Sequence, residues 1–492
     1  MGGPNKSLKP KIIRDAVHGY IEIPGAFVKE IIDTPIFQRL LRIQQTNLSV
    51  LYPSATHTRF EHSLGVFYLG GLLFDTLCKN TTNFDVCGIS KDDFIQKYRT
   101  TFLLACLLHD VGHAPLSHTG EQFFEEDDMI AKLKGLGVDI DMKKGRKPAR
   151  HEIMSCAVAL HVFGDFLSSN EIDKELFCRI IMGLEYTREA EDKPIRNILT
   201  QVLNSSFDVD KMDYIMRDAA SAGVTSLMLD VHRIASSLAI LDCAGEPRLA
   251  FLKHGFSVIN SVIDNRNYLY YWLYGHHKVQ YQQYLLKSYI RELVKKEKEI
   301  KKLFSFEGII GEIELHLPFS HSSLCQVDDY DVLEIMKVAR KLDSDFSQYY
   351  SQIFERKHYH PLWKTKIEFD QQCNSNVRLL EKLPTIMTLG DNPSSGLETE
   401  ICDYLKRKGV DLEPSRFCVF NREFKISFPT FEEKIYCYVQ TAQPQFKRYS
   451  ELFNVEGAIP ISQITQNMFY VFIDEEKWSL GQSIIDALCS LA

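Results

Sequence analysis

At 492 residues the chain is too long for one ordinary hydrophobic core, so one large domain with appended pieces, or two to three domains, is expected. A composition of 45% hydrophobic and 25% charged residues is that of a soluble globular protein and excludes a disordered or fibrous chain. The net charge of -8 argues against a dedicated nucleic-acid coat and leaves room for a local basic pocket.

Residues 1–10 read as a loose tail, with no apolar run of the kind a signal peptide carries. Residues 11–25 alternate apolar and polar side chains around His18-Gly19 and predict a short hairpin. From about residue 27 the spacing becomes helical, with apolar stretches near 58–79, 98–110, 151–165, 174–186, 208–220 and 256–303. A charged, glycine-punctuated segment at 125–150 reads as a mobile insertion. Residues 301–384 read as a helical extension, and helix is expected to predominate through about residue 345. Residues 385–492 read as a smaller α+β module, with strands in 418–428, 434–442 and 468–473 and a closing helix over 479–492. The expected fold is therefore mainly α, a helical core followed by an α+β C-terminal module. The 12 cysteines form no CxxC pair, which argues for reduced, buried thiols and a cytoplasmic location. No apolar run approaches the length of a membrane span, so no membrane partner is expected.

Five stretches are candidates for chemistry. In LLACLLHDVGHAPLSH an apolar helix runs into His109 and Asp110, an imidazole and a carboxylate that can converge on one divalent ion at a helix end. His113 and His118 follow closely, and burying so many ionisable groups without a use for them is costly. In THTRFEHSLG, Arg59 and His62 are three apart at the start of a buried helix, a cation for phosphate beside a candidate ligand. In FDVDKMDYIMRD, Asp210, Tyr214 and Asp218 share one face and Lys211 lies next to it. His151-Glu152 opens a further helix and could supply a proton. Arg266, Tyr270 and Tyr274 repeat every four residues, a stripe that suits either core packing or base contact. Taken singly, each stretch is also compatible with ordinary caps, salt bridges and core.

RFEHSLG, LLHDVGHAPLSH, the His-Glu pair and DVDKMDYIMRD, in that order, resemble the HD superfamily, and more closely its deoxynucleoside triphosphate triphosphohydrolases, over roughly residues 11–290. The resemblance implies a helical HD domain over 11–300. It implies a divalent metal (iron, manganese or magnesium, with zinc a further option) on His62, His109, Asp110 and Asp210. It assigns Arg59, Lys211 and Arg266 to the triphosphate. It makes His113, His118 and His151 the catalytic histidines, and it puts Glu121 where the family usually has aspartate. Gln45, Tyr214 and Asp218 match contacts near the sugar and Tyr274 an aromatic beside the base, while Tyr270 stands in place of a histidine. Thr46 replaces a leucine associated with ribonucleotide exclusion. Lys11, Asp33 and Gln38 match an inter-subunit nucleotide-activator site, with Leu41 in place of an arginine and Arg14 in place of an asparagine. Implied partners are a nucleoside triphosphate, a nucleotide activator and further copies of the chain as a dimer or tetramer. Two other readings stay open. One is an HD phosphodiesterase or nuclease, so nucleic acid is not excluded as substrate. The other is a nucleotide sensor without turnover.

Overall fold

The computed structural model describes residues 8–84, 88–142, 146–187, 192–205, 207–243, 245–317, 320–341, 344–390, 396–422, 436–439, 445–448, 451 and 468–490. The fold is mainly α: a helical HD core and a C-terminal α+β region. Two compact units divide the chain discontinuously. Unit 1 comprises Met1–Arg266, Leu293–Ile335 and Phe428–Ala458; unit 2 comprises Asn267–Glu292, Met336–Ser427 and Ile459–Ala492.

Unit 1 opens with the expected hairpin, Lys11–Asp15 paired antiparallel with Gly19–Ile23. Asp15 Oδ1 accepts the backbone N–H groups of Val17 and His18 at 2.9 and 2.8 Å, and Gly19 takes the left-handed φ of 77° that the turn needs. The central helix, Arg59–Asn80, starts where Glu61 accepts the backbone N–H of Thr58 at 3.0 Å. Lys91–Leu108 packs beside it, capped by the Ser90 hydroxyl at 3.1 Å from Asp93 N. Val209–Ser221 is capped by Asp208, whose Oδ1 accepts the Lys211 N–H at 2.8 Å. This helix comes close to Arg59–Asn80 because Gly65 has no side chain. A Cβ there would lie 1.9 Å from Asp213 Oδ1. Gly112 serves the same end between the HD turn and the Arg150–Val162 helix, where a Cβ would lie 2.4 Å from Ser155 N.

Three features differ from expectation. Within 125–150, Glu126–Gly135 is a helix whose Met129 and Leu133 are buried, so two well-spaced apolar residues anchor a segment that reads as charged; residues 143–145 lie outside the described residues. Leu238–Cys243 and Glu246–Leu252 form an antiparallel hairpin inside the stretch expected to be helical, as do Glu312–Leu317 and Ser320–Cys325. Tyr436–Val439, a strand assigned from sequence to the C-terminal module, instead pairs in parallel with Glu246–Leu252 inside unit 1. Of the other expected strand residues, 423–428, 434–435 and 440–442 lie outside the described ones, as do residues 1–7 of the tail and 491–492 of the closing helix.

Unit 2 is built on a three-stranded antiparallel sheet in which Phe469–Ile473 lies between His360–Pro361 and Phe417–Asn421. All five residues of Phe469–Ile473 are buried, against Trp363, Phe369, Ile401 and Ile484 among others. The apolar stretch at helical spacing over 256–303 includes Phe256–Tyr268, a π-helical turn at Leu269–Tyr274 and His277–Lys296, with Gly275 between the last two. No described helix is long and apolar enough to cross a membrane.

Candidate metal centre and its histidine cluster

His109 and Asp110 leave the Lys91–Leu108 helix at its C-terminal end, pointing back toward the N-terminal turns of Arg59–Asn80 and Val209–Ser221. Four donors meet there. His62 Nε2 lies 3.3 Å from His109 Nε2 and 3.0 Å from Asp210 Oδ1. Asp110 Oδ2 lies 3.7 Å from His62 Nε2 and 3.6 Å from His109 Nε2. His62, His109 and Asp110 are buried, and the Asp210 carboxylate is about one-third exposed.

The tautomers are set by what lies behind the rings. His109 Nδ1 is 2.9 Å from the Cys106 carbonyl, which can only accept, so Nδ1 carries the proton and Nε2 its lone pair. His62 Nδ1 is 2.7 Å from Asp213 Oδ2 and donates likewise. Two imidazoles with free Nε2 lone pairs and two carboxylates are a donor set for a divalent ion. Without an ion, burial works against charge on His62, but Asp210 and Asp213 overcome it and raise its pKa to about 10. Metal binding must therefore release a proton. Asp210, Asp213 and Asp110 are all held below the usual carboxylate range. Burial opposes this in each case, and it is overcome chiefly by His62, by Arg217 and by Arg59 respectively.

Asp213 is a residue that motif spacing does not single out. It is fully buried, receives Arg217 Nε at 2.8 Å and Nη2 at 3.0 Å, and lies 2.6 Å from His18 Nε2. Arg217 in turn donates to Asp15 at 2.8 Å. Asp15, Arg217 and Asp213 thus form a buried relay ending on the back of His62. Asp213→Asn is expected to weaken metal affinity about 10- to 100-fold, as loss of a ligand's carboxylate partner does. Metal retained against graded chelator measures it, and unchanged retention would remove Asp213 from the relay.

Arg59 is buried beside the cluster. It donates to Asp110 Oδ2 at 2.6 Å, to Ser117 Oγ at 3.1 Å and to the Gln45 carbonyl at 3.3 Å. Leu116 and Ser117 both take left-handed φ values, 59° and 51°, a strained turn fixed in part by Asp329. Asp329 accepts the N–H of Leu116 at 2.6 Å and that of Gln44 at 2.9 Å, so one buried carboxylate ties together both segments that hold Arg59. Arg39, also fully buried, donates to the His113 carbonyl at 2.8 Å. The Gln45 side chain is buried, and its Oε1 makes no hydrogen bond.

A second cluster lies on the other side of Asp110. His113 stacks on His151 with centroids 4.5 Å apart, and His118 stands edge-on to both at 5.1 and 5.4 Å. Glu121 joins them: Oε1 is 3.0 Å from His151 Nδ1 and Oε2 is 3.0 Å from His118 Nδ1. Burial disfavours charge on His151, but Glu121 raises its pKa to about 9, while Glu121 itself is held far below the carboxylate range by the histidines despite burial. His113 is kept neutral by complete burial and by the nearby charges of Arg59 and His151. Its nearest approach to the first cluster is 4.0 Å, from Nε2 to Asp110 Oδ1.

The remaining predicted residues are placed as follows. Lys211 pairs with Asp208 at 2.7 Å, Tyr214 is half-buried, and Asp218 is buried 2.7 Å from His57 Nε2. Arg266 lies in the last turn of Phe256–Tyr268, at the end of a segment of unit 1. Tyr270 and Tyr274 belong to unit 2, on the π-helical turn, with their rings edge to face at 5.1 Å. Lys11 lies 3.8 Å from Asp33, and Gln38 donates to the Ile32 carbonyl at 2.9 Å.

The HD domain family model matches residues 59–202. An uncharacterized protein of Methanocaldococcus jannaschii, MJ1154, is 30% identical over 61% of this chain and 53% of its own length. A protein of Dictyostelium discoideum named deoxynucleoside triphosphate triphosphohydrolase SAMHD1 homolog is 29% identical over 56% of this chain and 47% of its own. The chain thus spans about half the length of these curated relatives. The crystal structure of a phosphohydrolase from Bacteroides thetaiotaomicron shares the fold, with a TM-score of 0.59 at 21% identity over 95% of this chain and all of that one. The HD domain and the His/Asp cluster support a metal-dependent phosphohydrolase. The chain carries an HD domain over residues 59–202 and resembles, over about half its length, the HD-type deoxynucleoside triphosphate triphosphohydrolases.

Proposed function

We propose that the chain hydrolyses deoxynucleoside triphosphates to deoxynucleoside and triphosphate. The observation that carries this reading is the adjacency of a two-histidine, two-carboxylate donor set, a buried arginine and a histidine whose proton is held by Glu121. A divalent ion on His62, His109, Asp110 and Asp210 would supply Lewis acidity at the phosphate being cleaved. Arg59, with Lys211 and Arg266, binds the triphosphate and balances charge that builds on it. Arg59 arrives pre-aimed, because Ser117 and the Gln45 carbonyl fix its guanidinium before substrate enters. His151 gives a proton from Nε2 to the departing 5′ oxygen, and Glu121, held against Nδ1, keeps the ring protonated until then. His113 and His118 wall the same cluster, while Gln45, Tyr214 and Asp218 lie toward the sugar. Activation by a nucleotide at Lys11, Asp33 and Gln38, and assembly into a dimer or tetramer, belong to the same proposal.

Arg59→Ala is expected to lower kcat/KM for triphosphate substrates by about 10²- to 10³-fold, the cost of one lost electrostatic stabiliser. Steady-state kinetics on the metal-loaded variant test it. An unchanged kcat/KM would remove Arg59 from the phosphate clamp.

A further inference from the structure

His57 lies in the connecting stretch just before Thr58 and the central helix, and its main chain runs beside residues 43–45. Gln44 and Thr58 form an antiparallel bridge, Gln45 N donates to the His57 carbonyl at 3.0 Å, and Arg59 N donates to the Ile43 carbonyl at 2.9 Å. The His57 ring reaches the Val209–Ser221 helix, where its Nε2 lies 2.7 Å from Asp218 Oδ1. Ser54 Oγ makes a second tie to that helix, donating to the Ser221 carbonyl at 2.7 Å. One residue therefore holds Gln45 through its main chain and Asp218 through its side chain. Those are two of the three side chains that the proposed reaction places toward the sugar.

The ring works on one side only. Asp218 is 1% exposed and the His57 side chain 8%. A carboxylate oxygen accepts, so Nε2 carries the proton and donates to Oδ1. Nδ1 is buried with no hydrogen-bond partner, and among the described residues the bond to Asp218 is the one hydrogen bond the ring makes. A buried ring nitrogen without a partner costs free energy, so packing alone would be served better by an apolar side chain. What the imidazole adds is a single aimed donor, which fixes one oxygen of Asp218 and with it the plane of the carboxylate. Gln45 carries the complementary mark: its side chain is buried and its Oε1, an acceptor, has no partner. Buried polar atoms normally find a partner, from the protein, water or a ligand, and a ligand hydroxyl would supply one here. A 2′-deoxynucleotide with its phosphates on C5′ has one free sugar hydroxyl, on C3′.

We propose that His57 is the positioning residue of the sugar subsite, setting Gln45 and Asp218 as acceptors for the substrate's 3′-hydroxyl. The inference rests on the substrate class proposed above and adds the residue that sets discrimination at the sugar. A site built to hydrogen-bond a hydroxyl rejects an analogue lacking it strongly, because its buried polar groups are then left unpaired. That rejection requires the acceptors to be held. Without the His57 donor, the Asp218 carboxylate is free to turn about its side-chain bonds, and the discrimination falls even though both acceptors remain in the sequence.

The test is calorimetric titration of the full-length chain with a deoxynucleoside triphosphate and with its 2′,3′-dideoxy counterpart, with chelator present so that neither is hydrolysed. Wild type is compared with His57→Leu, which fills the space without a donor, and with His57→Gln, whose amide N–H can still reach Asp218. The wild type is expected to bind the hydroxyl-bearing ligand at least about tenfold more tightly, the scale of one hydrogen bond to a charged group. In His57→Leu the ratio is expected to fall to within about threefold of unity, and in His57→Gln to stay nearer the wild-type value. A nucleotide held elsewhere on the chain contributes alike to every variant, so the change in ratio decides. No preference in the wild type overturns the proposal. So does an equal loss of both affinities in His57→Leu, the mark of a structural role, and so does a His57→Gln ratio as low as that of His57→Leu. Should circular dichroism show His57→Leu misfolded, His57→Asn, whose shorter amide stops short of Asp218, carries the comparison. Hydrolysis is assayed separately with Mn²⁺. A wild type that shows the expected ratio and response to His57 yet turns over no triphosphate ends the proposed reaction and leaves the sugar subsite standing. Turnover with a ratio indifferent to His57 ends the subsite inference alone.

Discussion

Asp210→Ala is expected to abolish turnover, lowering kcat by at least about 10³-fold, and to strip the chain of its metal while leaving it folded. The two halves of this expectation have separate causes. Asp210 Oδ1 sits 3.0 Å from His62 Nε2 and 3.9 Å from His109 Nε2, so alanine removes a donor from the centre of the set. The side chain is about one-third exposed and occupies the first turn of Val209–Ser221. A first-turn carboxylate contributes about 0.3–1 kcal/mol to its helix, too little to unfold a domain of this size. Metal analysis, a melting curve and an activity assay on the same sample separate loss of site from loss of fold. Full activity in this variant would contradict the assignment of the centre.

The second large effect concerns pH. If His151 acts as the acid, its protonated form is the active one, so kcat should hold below its pKa and fall about tenfold per unit above it. With Glu121 3.0 Å away and the pKa raised to about 9, the fall is expected near pH 9. Glu121→Gln keeps the shape and removes the charge, and the limb should move down toward the ordinary imidazole value of about 6.5. His151→Gln should lower kcat by about 10²- to 10⁴-fold. The same linkage bears on stability. A histidine whose pKa is raised on folding stabilises fully below its unfolded value, and that contribution is lost as pH rises from about 6.5 to about 9. A kcat limb that stays put in Glu121→Gln would show that another group sets it.

How much of this was legible in the sequence depends on the range over which each cause acts. The apolar spacing at 58–79 and 208–220 marks the helices Arg59–Asn80 and Val209–Ser221 well, because helical period is a local property. It fails at Leu238–Leu252, where Leu238–Cys243 turns back on Glu246–Leu252, which takes Tyr436–Val439 as a parallel neighbour from almost two hundred residues away. The 126–135 helix was hidden for a different reason: only Met129 and Leu133 are buried along a charged stretch.

The site divides in the same way. Motif spacing brings His62, His109, Asp110 and Asp210 to notice because each is adjacent to another ionisable group or to a helix end. The relay behind them was not visible. Asp213 stands three residues after Asp210, a helical offset that was available as a signal, but its partner His18, and Asp15 that accepts from Arg217, are some two hundred residues distant. The Asp329 tie is still further from pattern, joining Gln44 and Leu116 through two backbone N–H groups that carry no side-chain signature.

Of all measurements, the direct one is product analysis. Purified protein is incubated with each deoxynucleoside and ribonucleoside triphosphate, with Mn²⁺ and then Mg²⁺, singly and in mixtures that include an activator, and the products are separated by chromatography. Deoxynucleoside with intact triphosphate, absent from Asp210→Ala, is the predicted result. Stepwise loss of phosphate would contradict it, and so would no turnover of any triphosphate alongside cleavage of an oligonucleotide or cyclic nucleotide, which would assign the same metal centre to a phosphodiesterase.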